Sequence, residues 1–321
     1  MANLSLNSTL TTPNRDNDEK SLEDLPKARF WQTIDIYRWE NSWFEPGLMK
    51  TAMAFRSSFP AQDDDIFLAS HVKTGTTWLK SLSLCIMQKN HQKHDFDILT
   101  TESPHFHVPT IESTIYATKP SQIDLHDASS PRLLHTHLPY AVIPDSIKNS
   151  GSKIVYIARN PKDTLISNWH FLNSIMKQNQ EPFPLEMAVD CFCSGVYLYG
   201  SFFDHVLEYW LESKKRPEKI LFLKYEEMKS DPKREVLKIA EFLGKPFENE
   251  REVDEVLWRC SLERLKNLEV NKNGSFLFYV PNSSYFRKGV VGDWKNYLTS
   301  EMEERINQTS RRKFEAFGLF L

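Results

Sequence analysis

The sequence predicts a single α/β domain: a central, mostly parallel sheet flanked by helices, with a P-loop-like phosphate loop at the sheet's edge. Two observations carry this. Continuously apolar runs recur along the chain, too unbroken for half-exposed antiparallel strands and suited to a sheet covered on both faces. The first of them, Ile66-Phe67-Leu68-Ala69, leads through His71-Val72-Lys73-Thr74-Gly75-Thr76-Thr77 into Trp78 to Met87, which reads as a buried helix. No repeat or low-complexity linker divides the 321 residues, and α/β folds of this length often form one domain.

Residues 1–22 are rich in Asn, Ser, Thr and charge and are expected to form a disordered tail, leaving 23–321 as the domain. Aromatics then rise sharply at Phe30, Trp31, Tyr37, Trp39, Trp43 and Phe44, without a strand signal. They read equally as a lid, a pocket wall or a satellite hydrophobic cluster. After the strand at 66–69, three more are legible: Arg132 to His137, Lys153 to Arg159 and Lys219 to Tyr225. Asn160-Pro161-Lys162-Asp163 opens a helix with a cap residue, a first-turn proline and an acid. An amphipathic helix runs from Lys233 to Leu243 and stops at Gly244, and a charged helix from Glu301 to Phe314 closes the chain.

Composition excludes several classes. Net charge is −3, which argues against a nucleic-acid partner. No apolar run approaches the ~18 residues of a membrane span, and the polar start lacks a secretory signal. Cys85, Cys191, Cys193 and Cys260 have no metal-ligand spacing and read as reduced, buried, cytosolic thiols. His105 and His107 lack a third ligand and read as pocket lining or surface, so no metal is expected.

The 71–80 segment is the chemical centre. Helix-start N–H groups, the helix dipole, Lys73 and the hydroxyls of Thr76 and Thr77 together make a phosphate cradle. It is not the nucleoside-triphosphate loop, because the lysine precedes the only glycine. Ligands of open α/β sheets gather at the carboxyl ends of strands. Those ends supply the Lys73 loop, His135-Thr136-His137, Arg159 and Tyr225: a phosphate loop, a potential base, a guanidinium and a phenol.

These segments resemble the cytosolic sulfotransferases, the family that uses 3′-phosphoadenosine 5′-phosphosulfate (PAPS), over nearly everything after the tail. Val72 to Trp78 matches the family's 5′-phosphosulfate loop, and Thr136-His137-Leu138-Pro139 the segment of its catalytic histidine. Tyr156 to Asp163 with Ser167, and Phe286 to Lys295, match its two 3′-phosphate segments. Phe192-Cys193-Ser194-Gly195 and Leu268 to Lys272 are similar to the plant branch. The resemblance implies PAPS as co-substrate, no metal and a small hydroxylated acceptor. It implies that Lys73, Thr74, Gly75, Thr76 and Thr77 hold the phosphosulfate, with Lys73 also catalytic. Trp78 and Tyr225 would orient the adenine. Arg159, Ser167, Arg287, Lys288 and Gly289 would hold the 3′-phosphate, leaving cations unpaired when that group is absent. His137 would take the acceptor's proton.

Departures also carry expectations. His135 stands where many relatives have lysine, and Leu262 where they have a stacking phenylalanine. The family's dimer motif appears as Lys295, Thr299, Ser300 and Glu304, with serine replacing an apolar residue, so a monomer is expected. The aromatics Trp31, Tyr37, Trp43, Phe44, Phe106, Tyr116, Tyr140 and Trp169 point to a flat apolar acceptor, and the resemblance to the plant branch implies one of plant secondary metabolism.

Overall fold

A computed structural model describes residues 22–88, 97–118, 131–176, 181–276 and 280–321. The expected tail lies outside them except for Leu22, which opens a short 3-10 segment, Leu22–Asp24.

A three-stranded antiparallel sheet comes first: β1 (Lys27–Phe30), β2 (Ile34–Trp39) and β3 (Ser42–Phe44). Its turns hide it from sequence reading. Trp31, Gln32, Glu40 and Asn41 all take positive φ, a conformation that usually announces itself through Gly or Asn-Gly. The aromatic segment is thus a hydrophobic cluster. Phe30, Ile36 and Phe44 are fully buried, and Trp31 stacks on Phe183 with centroids 4.7 Å apart.

The central sheet contains β4 (Ile66–Ser70), β5 (Leu133–Thr136), β6 (Lys153–Ala158) and β7 (Ile220–Lys224), all parallel, in spatial order β5-β4-β6-β7. Side chains alternate across it: Phe67, Ala69, Leu134, Ile154 and Tyr156 enter one core, while Ile66, Leu68, Val155, Ile157 and Leu223 enter the other. Two cores explain why the strands read as unbroken apolar runs. The connection from β4 leaves toward β5, whereas that from β6 leaves toward β7. The carboxyl ends of β4 and β6 therefore flank the topological switch point, where such sheets bind ligands.

Helices start where local chemistry favours it. The Pro161–Met176 helix begins after Asn160, whose Oδ1 accepts from Lys162 N at 3.0 Å. The Pro232–Phe242 helix is followed by Gly244 at φ +69°, and Ser300–Phe314 is capped by Thr299. The Thr76–Gln88 helix is buried almost all round, Lys80 included.

Candidate active site

Between β4 and the Thr76–Gln88 helix the chain turns sharply, with Lys73 at φ +66° and Gly75 at φ +116°. A Cβ on Gly75 would meet Ile157 Cδ1 and Tyr225 Cδ2 at 2.9 Å each, so only glycine lets the loop lie this close to β6 and the end of β7. Thr74 pins the turn: its hydroxyl lies 2.8 Å from the His71 carbonyl and 3.0 Å from the Ile157 carbonyl. The helix then opens its first N–H groups toward a cavity of about 830 Å³.

That cavity brings together Lys73, Gly75, Thr76, Thr77, Trp78, His137, Arg159, Ser167, Tyr225, Arg287, Lys288 and Gly289, from five separate stretches of sequence. Thr74 is the one expected site residue that does not line it; its side chain anchors the loop instead. The Lys73 ammonium lies 4.1 Å from the Phe171 ring centroid. Burial, with the charges of Arg159 and Arg287 nearby, pushes it down to about 7. The Arg159 guanidinium reaches across the crevice, donating to Val290 O at 2.9 Å and Lys73 O at 3.5 Å, and it covers the Tyr225 ring at 4.5 Å. Trp78 meets Tyr225 edge-on at 5.7 Å.

The 286–294 strap is tied down by Asp163, buried at the start of the Pro161–Met176 helix. Its carboxylate accepts from Gly292 N at 2.7 Å and Trp294 N at 3.1 Å. Arg287 and Lys288 bond Asp293 at 2.6 and 2.8 Å. The expectation that these cations stand unpaired is therefore corrected: Asp293, itself pulled down to about 2 despite its burial, is their internal counterion. What remains without a partner is the buried Nε of Arg159 and of Arg287.

His137 follows β5. Its Nδ1 donates to the Ser70 carbonyl at 2.8 Å, which leaves Nε2 as the bare, basic nitrogen. Burial above all holds this imidazole neutral, near 3. Its backbone is clamped on both sides: Glu112 accepts from His137 N at 2.7 Å, and His205 Nε2 donates to His137 O at 2.9 Å.

The acceptor-pocket expectation fails in its particulars. None of the eight aromatics from Trp31 to Trp169 named for it lines the cavity. Packing of the N-terminal sheet, not ligand contact, claims Trp31, Tyr37, Trp43 and Phe44, of which Trp31 and Phe44 are in the core, and Phe106 is about half exposed. The cavity's rings are instead Trp78, Phe171, Tyr199, Tyr225, Phe276, Tyr285 and Phe286.

A family model described as a sulfotransferase domain matches residues 63–318. The chain belongs to the sulfotransferase family. It is 40% identical to cytosolic sulfotransferase 5 of Arabidopsis thaliana over 304 residues, 93% of this chain and 94% of that one. Identity to cytosolic sulfotransferase 12 of the same plant is 37% over 305 residues, 93% and 92% of the two chains. The crystal structure of an Arabidopsis thaliana candidate steroid sulphotransferase covers 97% of the chain and all of its own, at TM-score 0.75 and 32% identity. A mouse sulfotransferase complexed with PAP covers 88% and 95%, at TM-score 0.69 and 29% identity.

This sulfotransferase also carries polar groups beneath its loop, of which sequence reading singled out His135 and His105 but passed over Lys80 and Glu112. Lys80, on a helix read only as buried, is fully enclosed, as are Glu112 and His135. Lys80 Nζ lies 3.0 Å from Thr110 Oγ1 and 3.4 Å from His105 Nδ1. His105 Nε2 lies 3.0 Å from Thr77 Oγ1. His135 lies between Thr110 Oγ1 and Ser70 Oγ, 3.0 Å from each, and Ser70 Oγ is 2.7 Å from Thr76 Oγ1. The available signal was a lysine in an otherwise uncharged helix, one turn after the loop. Of the cysteines, Cys85 and Cys260 are buried 3.7 Å apart, while Cys191 and Cys193 are partly exposed, and all four are free.

Proposed function

We propose that this sulfotransferase transfers the sulfuryl group of PAPS to a hydroxyl of a small aromatic or polycyclic acceptor in the cytosol, with His137 as general base. One observation carries the reading. Lys73, a tautomer-fixed His137 and two buried guanidinium nitrogens without partners converge on one cavity at the switch point. Unsatisfied buried donors are costly, and they fit a ligand with a second anionic group at one end. The mouse neighbour complexed with PAP supports the same ligand class.

PAPS supplies a sulfuryl group on a phosphate leaving group; the chain supplies position and charge. The helix-start N–H groups with Thr76 and Thr77 hold the phosphosulfate. Arg159, Arg287 and Lys288, with Ser167 and the Gly289 backbone, hold the 3′-phosphate. Trp78 and Tyr225 present ring surfaces to the adenine. Lys73, poised near neutral pH in a cation-rich pocket, becomes firmly charged once a polyanion enters and neutralises the leaving oxygen. His137 Nε2 accepts the acceptor's proton, and its low basicity rises as anionic charge arrives. Phe171, Tyr199 and Tyr285 give the rest of the cavity an aromatic wall suited to a flat acceptor.

The test is a panel of phenols, flavonoids, sterols and hydroxylated fatty-acid derivatives incubated with PAPS and read by mass spectrometry. A sulfonate gained by at least one acceptor, with EDTA present, is expected. Phosphate transfer from ATP, or no detectable PAPS binding, would overturn the reading.

A further inference from the structure

The groups beneath the loop form one hydrogen-bonded circuit that leaves the helix at Thr76 and returns at Thr77. It runs Thr76, Ser70, His135, Thr110, Lys80, His105, Thr77, with every step between 2.7 and 3.4 Å. We propose that Lys80 is a positioning residue: its ammonium sets the direction of every hydrogen bond in this circuit, so that the Thr76 and Thr77 hydroxyls both point their protons outward at the anionic phosphosulfate.

The argument is donor counting. Burial pushes Lys80 down to about 7, with the Glu112 charge opposing it, and an arriving polyanion favours the charged form; that ammonium has three N–H donors and no lone pair to offer. It must therefore donate to His105 Nδ1, which places the His105 proton on Nε2. That proton goes to Thr77 Oγ1, and the Thr77 hydroxyl proton is left for the cavity. In the other arm Lys80 donates to Thr110 Oγ1. The Thr110 proton has His135 Nδ1 as its acceptor, so His135 too carries its proton on Nε2. His135 donates to Ser70 Oγ, Ser70 to Thr76 Oγ1, and the Thr76 proton is again left for the cavity. Reversing the second arm would leave the Thr110 hydroxyl accepting from both Lys80 and His135, with its own proton stranded in buried surroundings at the cost of an unmade hydrogen bond. It would also turn the Thr76 lone pairs outward, against an anion. Both imidazoles are held well below their ordinary value, by burial first and by the Lys80 charge next, which keeps each a neutral relay with one donor and one acceptor. His135 thus has work in a position where many relatives of the resemblance carry lysine: the cation stands on the helix instead and acts through the imidazole.

The inference rests on the reading that Thr76 and Thr77 hold the 5′ phosphosulfate, and two separate readouts keep them distinguishable. The first is nitrogen-15 NMR of histidine-labelled full-length protein, with His105→Gln and His135→Gln variants for assignment. Both rings should be neutral, protonated at Nε2 and bare at Nδ1. A proton on Nδ1 of either ring would overturn the relay, whatever the protein binds. The second is calorimetry with PAP on Thr77→Val, Lys80→Met and the double variant. Loss of one hydroxyl donor to an anion should weaken binding about 10- to 100-fold, and Lys80→Met at least as much. Because Lys80 acts through the threonines, the double variant should match Lys80→Met alone, and full additivity would refute the relay. Should Lys80→Met fail to fold, the wild-type tautomers still decide. Absence of any PAP binding by the wild type would sink the cofactor reading, not the tautomer assignment.

Discussion

Replacing Arg287 by alanine should remove about half of the free energy that discriminates PAP from AMP while leaving AMP binding nearly unchanged. The structure fixes the magnitude. A 3′-phosphate meets five candidate partners, but Arg287 and Lys288 already share Asp293, at 2.6 and 2.8 Å. Their charges are largely spoken for, so simple charge counting overstates the selectivity. The donors that gain a partner outright are Nε of Arg159 and Nε of Arg287, both buried and without one. At about 1.5–3 kcal/mol for each charge-assisted bond, two give about 3–6 kcal/mol, or roughly 10²- to 10⁴-fold in favour of PAP. Arg287→Ala removes one of these bonds and frees the Asp293 carboxylate to repel the phosphate. PAP affinity should fall about 10- to 100-fold or somewhat more, with AMP shifted less than about threefold. Calorimetry with both nucleotides at one fixed ionic strength reads this directly. Equal wild-type affinities, or equal losses for PAP and AMP in the variant, would refute the assignment of Arg287 to a 3′-phosphate.

Three further outcomes are expected. His137→Ala should lower kcat by about 10²- to 10⁴-fold with PAP affinity retained by calorimetry; near-normal turnover would remove it from the base role. Lys73→Met should lower kcat more than it raises KM for PAPS, since charge grows on the leaving oxygen in the transition state, and a pure KM effect in steady-state kinetics would make Lys73 an anchor only. Finally, His71, His105, His135, His137 and His205 are all held below their ordinary value, chiefly by burial. An unfolded chain protonates them first, near pH 6.5, so stability should fall as pH drops through that value and continue toward the native values, about 3 for His137 and 4 for His205. Glu112, raised to about 7 by burial, works in the opposite sense. The buried imidazoles outnumber this carboxyl, so unfolding takes up protons and stability falls with acid below about pH 6.5. Urea midpoints measured by circular dichroism between pH 7 and 5.5 check this, and a flat profile would contradict it.

Much of the fold was legible because each strand of the central sheet is buried on both faces. Ile66 to Ala69 and Ile154 to Ala158 had to be apolar throughout, and the glycine and hydroxyls of the loop between β4 and its helix have no other common use together. The antiparallel sheet of β1 to β3 was not legible. Its turns put Trp31, Gln32 and Glu40 at positive φ, where tertiary packing holds a conformation that local preference disfavours. The same packing misled the search for an acceptor pocket: aromatic density signals burial first, and Trp31 and Phe44 serve the core.

The sequence alone determined the chemistry offered at the strand ends, namely Lys73, His137, Arg159 and the Arg287-Lys288-Gly289 strap, because motif residues are adjacent in the chain and their order survives folding. Only the tertiary structure decided what each of them touches. The Asp293 counterion, the Asp163 clamp on Gly292 and Trp294, and the circuit through Lys80 and His135 join elements far apart in the chain. The physical reason is that hydrogen bonds and buried charge depend on distance in space, over a few ångströms, and separation along a chain says nothing of that until the sheet has brought its ends together.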